Sequence, residues 1–482
     1  MILSSVIAQT VDDLLRLSQN QYINSARSAG VGGAFGSLGA DISVANINPA
    51  GIAEFRKSEI VLGGNYVNNS SDASLGGNTL SGSDQKLQLA TAAGVFTSNP
   101  VDFDVKTMNI ALGMNQLASF HDFFQYEGTT AGTRVERFRE LAQGRRLDEL
   151  GFFEAGPALD ANVLLETDVP GEYYSDFVTF DEIVSRSESV ERTGSINELF
   201  ITVASNIKNK FSWGATLGIP IVSYSEVKRY EEVDDADNVE FFNSMVYNQS
   251  LDLSGAGVNI KAGLIYKITP KLRLGIALHS PTVYAITDNY RTDIDYNYTD
   301  DGTTTTGIGT SGESIPFDYQ ATTPWRALAG VSTLYKVGDL RGFVSADAEY
   351  VNYNSVSYSL SPEGNLSDEA YLEEVTQEAK AVAASAINFR LGTEIAYKFL
   401  RVRVGGTMQG SPYKNTATLN PDLGYSAGIG IRANSIYLDA AYSYRSINRD
   451  YSPYTLSNPQ FEQVIDNKSS FGTLSVTVGF KI

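Results

Sequence analysis

The sequence predicts an all-β membrane protein, an antiparallel transmembrane β-barrel of about 14 strands. Three observations predict it: apolar–polar alternation in many segments, an even number of such segments, and connections that are long and short in turn. In the C-terminal segment Leu474, Val476, Val478, Phe480 and Ile482 share one face, and Ser475, Thr477, Gly479 and Lys481 share the other. Val258, Ile260, Ala262, Leu264, Tyr266 and Ile268 repeat the pattern against Asn259, Lys261 and Lys267. Thr269-Pro270 turns the chain, and Leu272, Leu274, Ile276 and Leu278 resume it against Lys271, Arg273 and His279. Successive strand residues face opposite sides, so each segment has one apolar and one polar face. A half-solvated sandwich or a membrane barrel would fit that pattern.

Connection lengths separate the two. Strands are expected near 58–68, 86–97, 106–117, 196–208, 211–224, 249–266, 271–286, 322–336, 341–353, 385–397, 401–410, 424–432, 435–446 and 470–481. The first link has roughly 17 residues, the next is short, the third (118–195) has nearly 80, and the fourth is only Asn209-Lys210. Long loops at one end and tight turns at the other are the asymmetry of an outer-membrane barrel, which a sandwich has no reason to keep. Within the longest loop, TRVERFRELAQGRRLDEL (133–150) spaces Val135, Phe138, Leu141, Leu147 and Leu150 as a helix would. A partly helical cover over the outer mouth is expected there, and a second long loop at 357–384 is acidic and Glu/Ala-rich in its later half.

Composition agrees with this reading. Charged residues are 19% of the chain, below the ~25% usual for soluble domains. Tyr (27), Phe (23) and Gly (43) are abundant, which suits glycine-punctuated strands. No run approaches the ~18 apolar residues of a transmembrane helix. The chain has no cysteine, which excludes disulfides, zinc-thiolate sites and cysteine nucleophiles. A net charge of −20 argues against a nucleic-acid partner, since phosphate binding needs clustered Lys and Arg.

Neither a metal site nor a cofactor site is expected. YEEVDDADNVE (230–240) carries six acids and is read as a solvated loop. Asp293, Asp295 and Asn297 begin like a calcium loop, but Tyr298 stands where the turn glycine is needed and Thr304 where the closing Glu is needed. The only histidines are His121 and His279. His279 and Ser280 are neighbours on a strand, so they face opposite sides and form no catalytic dyad. The chain is read as a non-enzyme.

MILSSVIAQ at the N-terminus has the form of the end of a secretory leader, with cleavage after Ala8. No basic region precedes it, so the leader's true start is expected further upstream. Next comes ARSAGVGGAFGSLGADISVANINPAGIAEF (26–55), rich in small residues and nearly uncharged. It lacks the sixth-position glycine or alanine of a dinucleotide fingerprint, because Phe35 stands there, and the Gly-Lys-Ser/Thr of a P-loop. Its end is more informative. Asn48 suits a helix N-cap and Pro49 the first helical position, where no amide hydrogen is needed.

Residues 26–53 of this stretch resemble the N-terminal signature of the FadL/TodX outer-membrane transport family. SGAGVNIKAGLIYKITPKLRLGIALHSPT (254–282), TPWRALAGV (323–331) and NFRLGTEIAYKF (388–399) resemble later strands of the same family. The resemblance implies a leader remnant (1–8), a small helical/coil hatch in the lumen (9–57) and the barrel (58–482). It also implies passive uptake of hydrophobic compounds such as long-chain fatty acids across the Gram-negative outer membrane. Asn48, Pro49, Ala50 and Gly51 would form the gating element. Ligand would leave through a wall gap beside a kinked third strand, where Gly113 is the residue to inspect. Lys261, Arg273, Arg326 and Arg390 lie on the polar face, either to anchor a ligand carboxylate or to join a mixed-charge network that holds the hatch. The implied partners are the bilayer and a hydrophobic small molecule, with the barrel monomeric. The alternative is a non-transporting barrel that serves as a subunit of a secretion or assembly complex, with outer-membrane protein partners.

Overall fold

The computed structural model describes residues 11–22, 24–100, 104–177, 179, 182–312, 316–362, 364, 368–414 and 421–482. The leader expected at 1–8 lies outside them. Fourteen strands close into one antiparallel barrel. They are β1 (Glu59–Leu75), β2 (Asn78–Ser98), β3 (Val105–Ser119), β4 (Ile183–Ile207), β5 (Phe211–Val233), β6 (Phe242–Lys267), β7 (Leu272–His279), β8 (Arg326–Val337), β9 (Leu340–Asn352), β10 (Ser385–Tyr397), β11 (Leu400–Gln409), β12 (Asp422–Arg432), β13 (Ile436–Tyr451) and β14 (Ile465–Lys481). Each pairs with its predecessor, and β14 returns to β1 with Phe480 opposite Ile60 and Leu474 opposite Tyr66.

The apolar row of each strand faces outward. Leu199, Ile201 and Val203 on β4, Val258 and Ile260 on β6, and Leu274, Ile276 and Leu278 on β7 are all exposed. A continuous belt of this kind is costly in water and is what hydrocarbon requires. Among the described residues no helix is long and apolar enough to cross a membrane. The opposite rows are buried and polar, including Asn65, Asn115, Thr202, Thr216 and Ser345.

The strands overrun their expected ends on the long-loop side. β1 and β2 meet in a tight turn at Gly76 (φ 60°) and Gly77 (φ 89°), where a loop of roughly 17 residues was expected. The overrun of β1 buries one face, through Asn69, Ser71, Ala73 and Leu75, but mostly small or polar residues line it, so the pairing continues without the apolar alternation that reveals it. The strand expected at 271–286 is split by Ser280-Pro281-Thr282 into β7 and an outer strand, Val283–Asp300, and both pair with β6. Pro281 has no amide hydrogen to give the ladder.

The longest loop covers the outer mouth. Thr133 caps the helix Arg134–Ala142 by accepting the Val135 amide, and a second helix, Ala155–Asp160, follows. Val135, Phe138, Ala158 and Leu164 pack there against Tyr230, Phe242, Tyr247 and Tyr296 of the barrel rim. The second loop supplies Ser357–Leu360 and the helix Glu369–Val382. Leu372, Val375 and Ala379 of that helix pack against Leu14 and Leu17 of the N-terminal helix α1 (Val11–Leu17) and against Tyr319 and Tyr358.

Candidate functional site: the lumenal segment and a parted wall

Residues 24–55 run inside the barrel at its short-turn end and are almost wholly buried. Short helices at Ala26–Ala29 and Val44–Ile47 lead to a 3₁₀ turn, Pro49–Glu54. Asn48 acts at both ends of its amide. Its Oδ1 accepts the Ala50 amide at 3.2 Å as an N-cap. Its Nδ2 donates to Gly36 O (2.6 Å) and faces the wall carbonyls of Leu264 and Ile276 at 3.2 Å. Pro49 fills the first helical position, and Ala50 and Gly51 are fully inside.

Small residues in the wall let the backbone come this close. Gly263 on β6 lies against the Asn48 side chain, and Gly275 on β7 lies against Gly36 O, so a Cβ at either place would overlap those atoms. Gly214 opposes Gly263 across β5–β6, and it faces Pro49. These inward glycines, in Ser212-Trp213-Gly214 and Ala262-Gly263-Leu264, are a signal that local patterning does not reveal: a lumenal row that loses its side chains marks where something else fills the space.

Polar wall residues then hold the segment. Asn109 donates to Ile52 O (2.6 Å) and Phe55 O (3.1 Å), Thr107 to Ala53 O (2.7 Å) and Thr216 to Ala45 O (3.0 Å). His279 meets Ile47 O at 3.1 Å. Glu54 sits between Lys267 (2.8 Å) and Arg273 (3.5 Å) and accepts from Ser212 at 2.9 Å. Burial pushes the Glu54 carboxyl up, but Lys267 and Arg273 outweigh it and hold the group below its ordinary 4.5. A carboxylate lowered on docking stabilises the docked form fully above 4.5, and that contribution falls away as pH drops through the lowered value. Protease access to the segment should therefore stay constant above the ordinary 4.5 and rise only as pH falls below it. Glu54→Gln should abolish that acid-dependent step; an identical acid response in the variant would assign it elsewhere.

The four lumenal cations are already paired. Lys261 contacts Glu198 at 2.5 Å and Arg273 contacts Glu54. Arg326 (3.6 Å) and Arg390 (2.5 Å), from β8 and β10, meet on Glu349 of β9. Glu349 also accepts from Tyr22 of the lumenal segment at 2.5 Å. A second chain runs from Arg27 of that segment to Glu394 (3.1 Å), then Arg403 (2.7 Å), Asp439 (2.8 Å) and Arg432 (2.8 Å). The cations join carboxylates that bind the segment to the wall.

The wall itself parts on one side. β2 and β3 pair only from Thr91–Asn115 to Ser98–Met108. Beyond that, Asn78–Ala90 of β2 has only β1 as a ladder partner, while β3 and the outer strand Asp122–Ala131 pair with β4. The register slips between Gln116 and Ala118, which leaves Leu117 as an extra residue turned inward onto Leu14 and Leu17. Gly113 lies in the regular ladder, opposite Ala93 and Phe200, and the bulge begins three residues later. The carbonyls that β2 no longer meets are taken by the lumenal segment: Gln21 N donates to Leu117 O at 2.8 Å, and Asn24 Nδ2 donates to Gln116 O. Across the parting, His121 Nδ1 lies 3.1 Å from Asp84, and Ser71 Oγ donates to Phe123 O at 2.6 Å.

Among solved structures, the chain resembles a FadL homologue from Pseudomonas aeruginosa (TM-score 0.53, 13% identity, covering 95% of this chain and 98% of that one). It also resembles the toluene transporter TodX of Pseudomonas putida (TM-score 0.52, 12% identity, 95% and 97% covered). No family model and no curated protein sequence matches it. At such identities the likeness speaks for architecture, and it spans nearly the full length of both partners: this chain is a closed 14-stranded barrel with the FadL/TodX fold.

Proposed function

We propose that the protein is an outer-membrane channel for passive uptake of hydrophobic compounds, with long-chain fatty acids among them, and that residues 9–57 are its hatch. The observation that carries this reading is the parting of β2 from β3 beside a bulge whose carbonyls are bonded to the lumenal segment. A polar-solute pore needs an open axial path. A hydrophobic solute is instead served by an axial path closed toward the short-turn end and a lateral opening toward lipid. Movement of the Gln21–Asn24 stretch would free both the bulge and the lumen beside it. The solved channels of this fold, one of them a toluene transporter, support the same reading.

The test is complementation in a Gram-negative host that lacks its own hydrophobic-uptake channel, with radiolabelled oleate and toluene as substrates. Wild type should restore uptake. Asn48→Ala removes a cap worth about 1 kcal/mol together with the wall contacts, and should change uptake severalfold while the barrel still assembles. Absence of uptake by correctly assembled wild type would sink the reading. Co-purification of a stoichiometric partner in mild detergent would then favour an assembly-complex subunit.

A further inference from the structure

The short-turn end of the barrel carries a charge opposite to that of the whole chain, whose net charge is −20. Arg56 and Lys57 follow the lumenal segment, Lys106 stands at the start of β3, Lys208 and Lys210 flank the β4–β5 turn, and Lys271 precedes β7. All six are exposed. Lys336 and Arg341 at the β8–β9 turn and Lys398 at the β10–β11 turn continue the row and are exposed as well. Against these nine cations stand two exposed acids among the described residues of the turns, Asp104 and Asp339. Of the nine, only Lys208 has an ion pair among the described residues, with Asp104 at 3.5 Å, and both side chains are more than half exposed. Arg56 donates Nη2 to Asn209 Oδ1 at 2.9 Å, between Lys208 and Lys210, so the densest part of the row is one continuous arc. Like charges gathered this way repel one another unless an anion meets them.

The side chains point to a lipid as that anion. Lys210 Nζ lies 5.5 Å from the ring centre of Tyr266, and Lys398 Nζ lies 5.2 Å from that of Tyr397. Both tyrosines are exposed on the outward row, as is Trp213 on β5. Aromatic residues so placed mark the boundary between hydrocarbon and headgroups. A lysine laid over them keeps its apolar stem along the wall and its ammonium among the headgroups. The short turns of an outer-membrane barrel face the periplasm, so the leaflet they meet is the inner one. We propose that this rim binds the phosphate groups of anionic phospholipids in the inner leaflet, with the arc from Arg56 to Lys271 as its densest part. Each Lys or Arg beside an anionic surface adds an attraction that fades within a Debye length. The site requires only the barrel in its bilayer and stands apart from the uptake reading.

The chain's two tryptophans report on the two ends of the barrel separately. Trp213 lies beside the rim, whereas Trp325 lies at the long-loop end of β8, with its ring 5.4 Å from that of outward-facing Tyr350. Trp325→Phe and Trp213→Phe each leave one reporter. The full-length variants are reconstituted at low salt in mixed bilayers where either phosphatidylglycerol or phosphatidylcholine carries dibrominated chains, and quenching gives the relative occupancy beside each tryptophan. Phosphatidylglycerol should be favoured about fivefold or more at Trp213 and not at Trp325. Lys106→Gln, Lys208→Gln, Lys210→Gln and Lys271→Gln combined should remove the preference, and so should about 1 M salt, where the screening length is only about 3 Å. Heat-modifiable gel mobility reports assembly; if the quadruple variant does not assemble, the salt titration decides. No preference at Trp213 overturns the lipid site and leaves the rim to an acidic soluble partner. An equal preference at both tryptophans, or one that survives the four substitutions or high salt, overturns it as well.

Discussion

Glu349→Gln is expected to destabilise the barrel by about 3–5 kcal/mol, the range for removing one partner of a buried ion pair. Glu349 is fully buried at 0% exposure and is the point where Arg326, Arg390, Tyr22 and Asn388 converge. The amide keeps the shape of the side chain but removes its charge, which leaves two guanidinium groups in the lumen without the carboxylate they share. The neutral group also loses the strong acceptor that ties Tyr22 of the hatch to β9. Urea unfolding in micelles, read by heat-modifiable mobility, measures the loss. Asp422→Asn is the comparison, because Asp422 pairs with an Arg449 that is 56% exposed. That exposed pair should be worth no more than about 1 kcal/mol. Equal effects from the two substitutions would show that Glu349 is not the electrostatic hub of the lumen.

Gly263→Val is expected to leave the barrel assembled and to unseat the hatch. Valine suits a strand, but at this position its Cβ would occupy the space of the Asn48 side chain. Neither the closed sheet nor the capped turn can retreat without losing the Asn48 contacts to Leu264 O and Ile276 O. Overpacking of this kind costs roughly 1–3 kcal/mol, which converts to about fivefold to 150-fold in the open fraction. Planar-bilayer recordings should therefore show leak conductance at least about fivefold above wild type. Gly94→Ala, in a strand position where the added carbon meets only the Phe96 ring at 3.5 Å, is the control. Unchanged conductance and unchanged protease protection of residues 24–57 in Gly263→Val would show that this contact does not hold the segment.

Much of the architecture was legible because a lipid-facing row must be apolar whatever its neighbours are. Leu474 to Phe480 and Val258 to Tyr266 carry that row in plain alternation, and β14 and β6 lie where it predicts. The overruns were not legible, since the buried face of Asn68–Leu75 is built mainly from small or polar residues, Asn69, Ser71 and Ala73, and carries no apolar alternation. Asn48 and Pro49 were legible locally, because a cap depends on residues within one turn of chain. That the same Asn48 amide also reaches Leu264 and Ile276, more than two hundred residues away, was not.

The sequence by itself determined the closed antiparallel barrel, its long-loop and short-turn ends, and the small-residue segment that precedes it. Each follows from local chemistry: alternation against lipid, turn residues, and a cap. Tertiary structure alone decided which charges meet. Arg326, Glu349 and Arg390 come from three successive strands and converge only because the register places them on one inward row, and a one-residue slip would turn each toward lipid. It likewise decided that β2 parts from β3 beside the Leu117 bulge while Gly113 stays in the ladder. Those are properties of pairing and closure, which no single stretch of the chain contains.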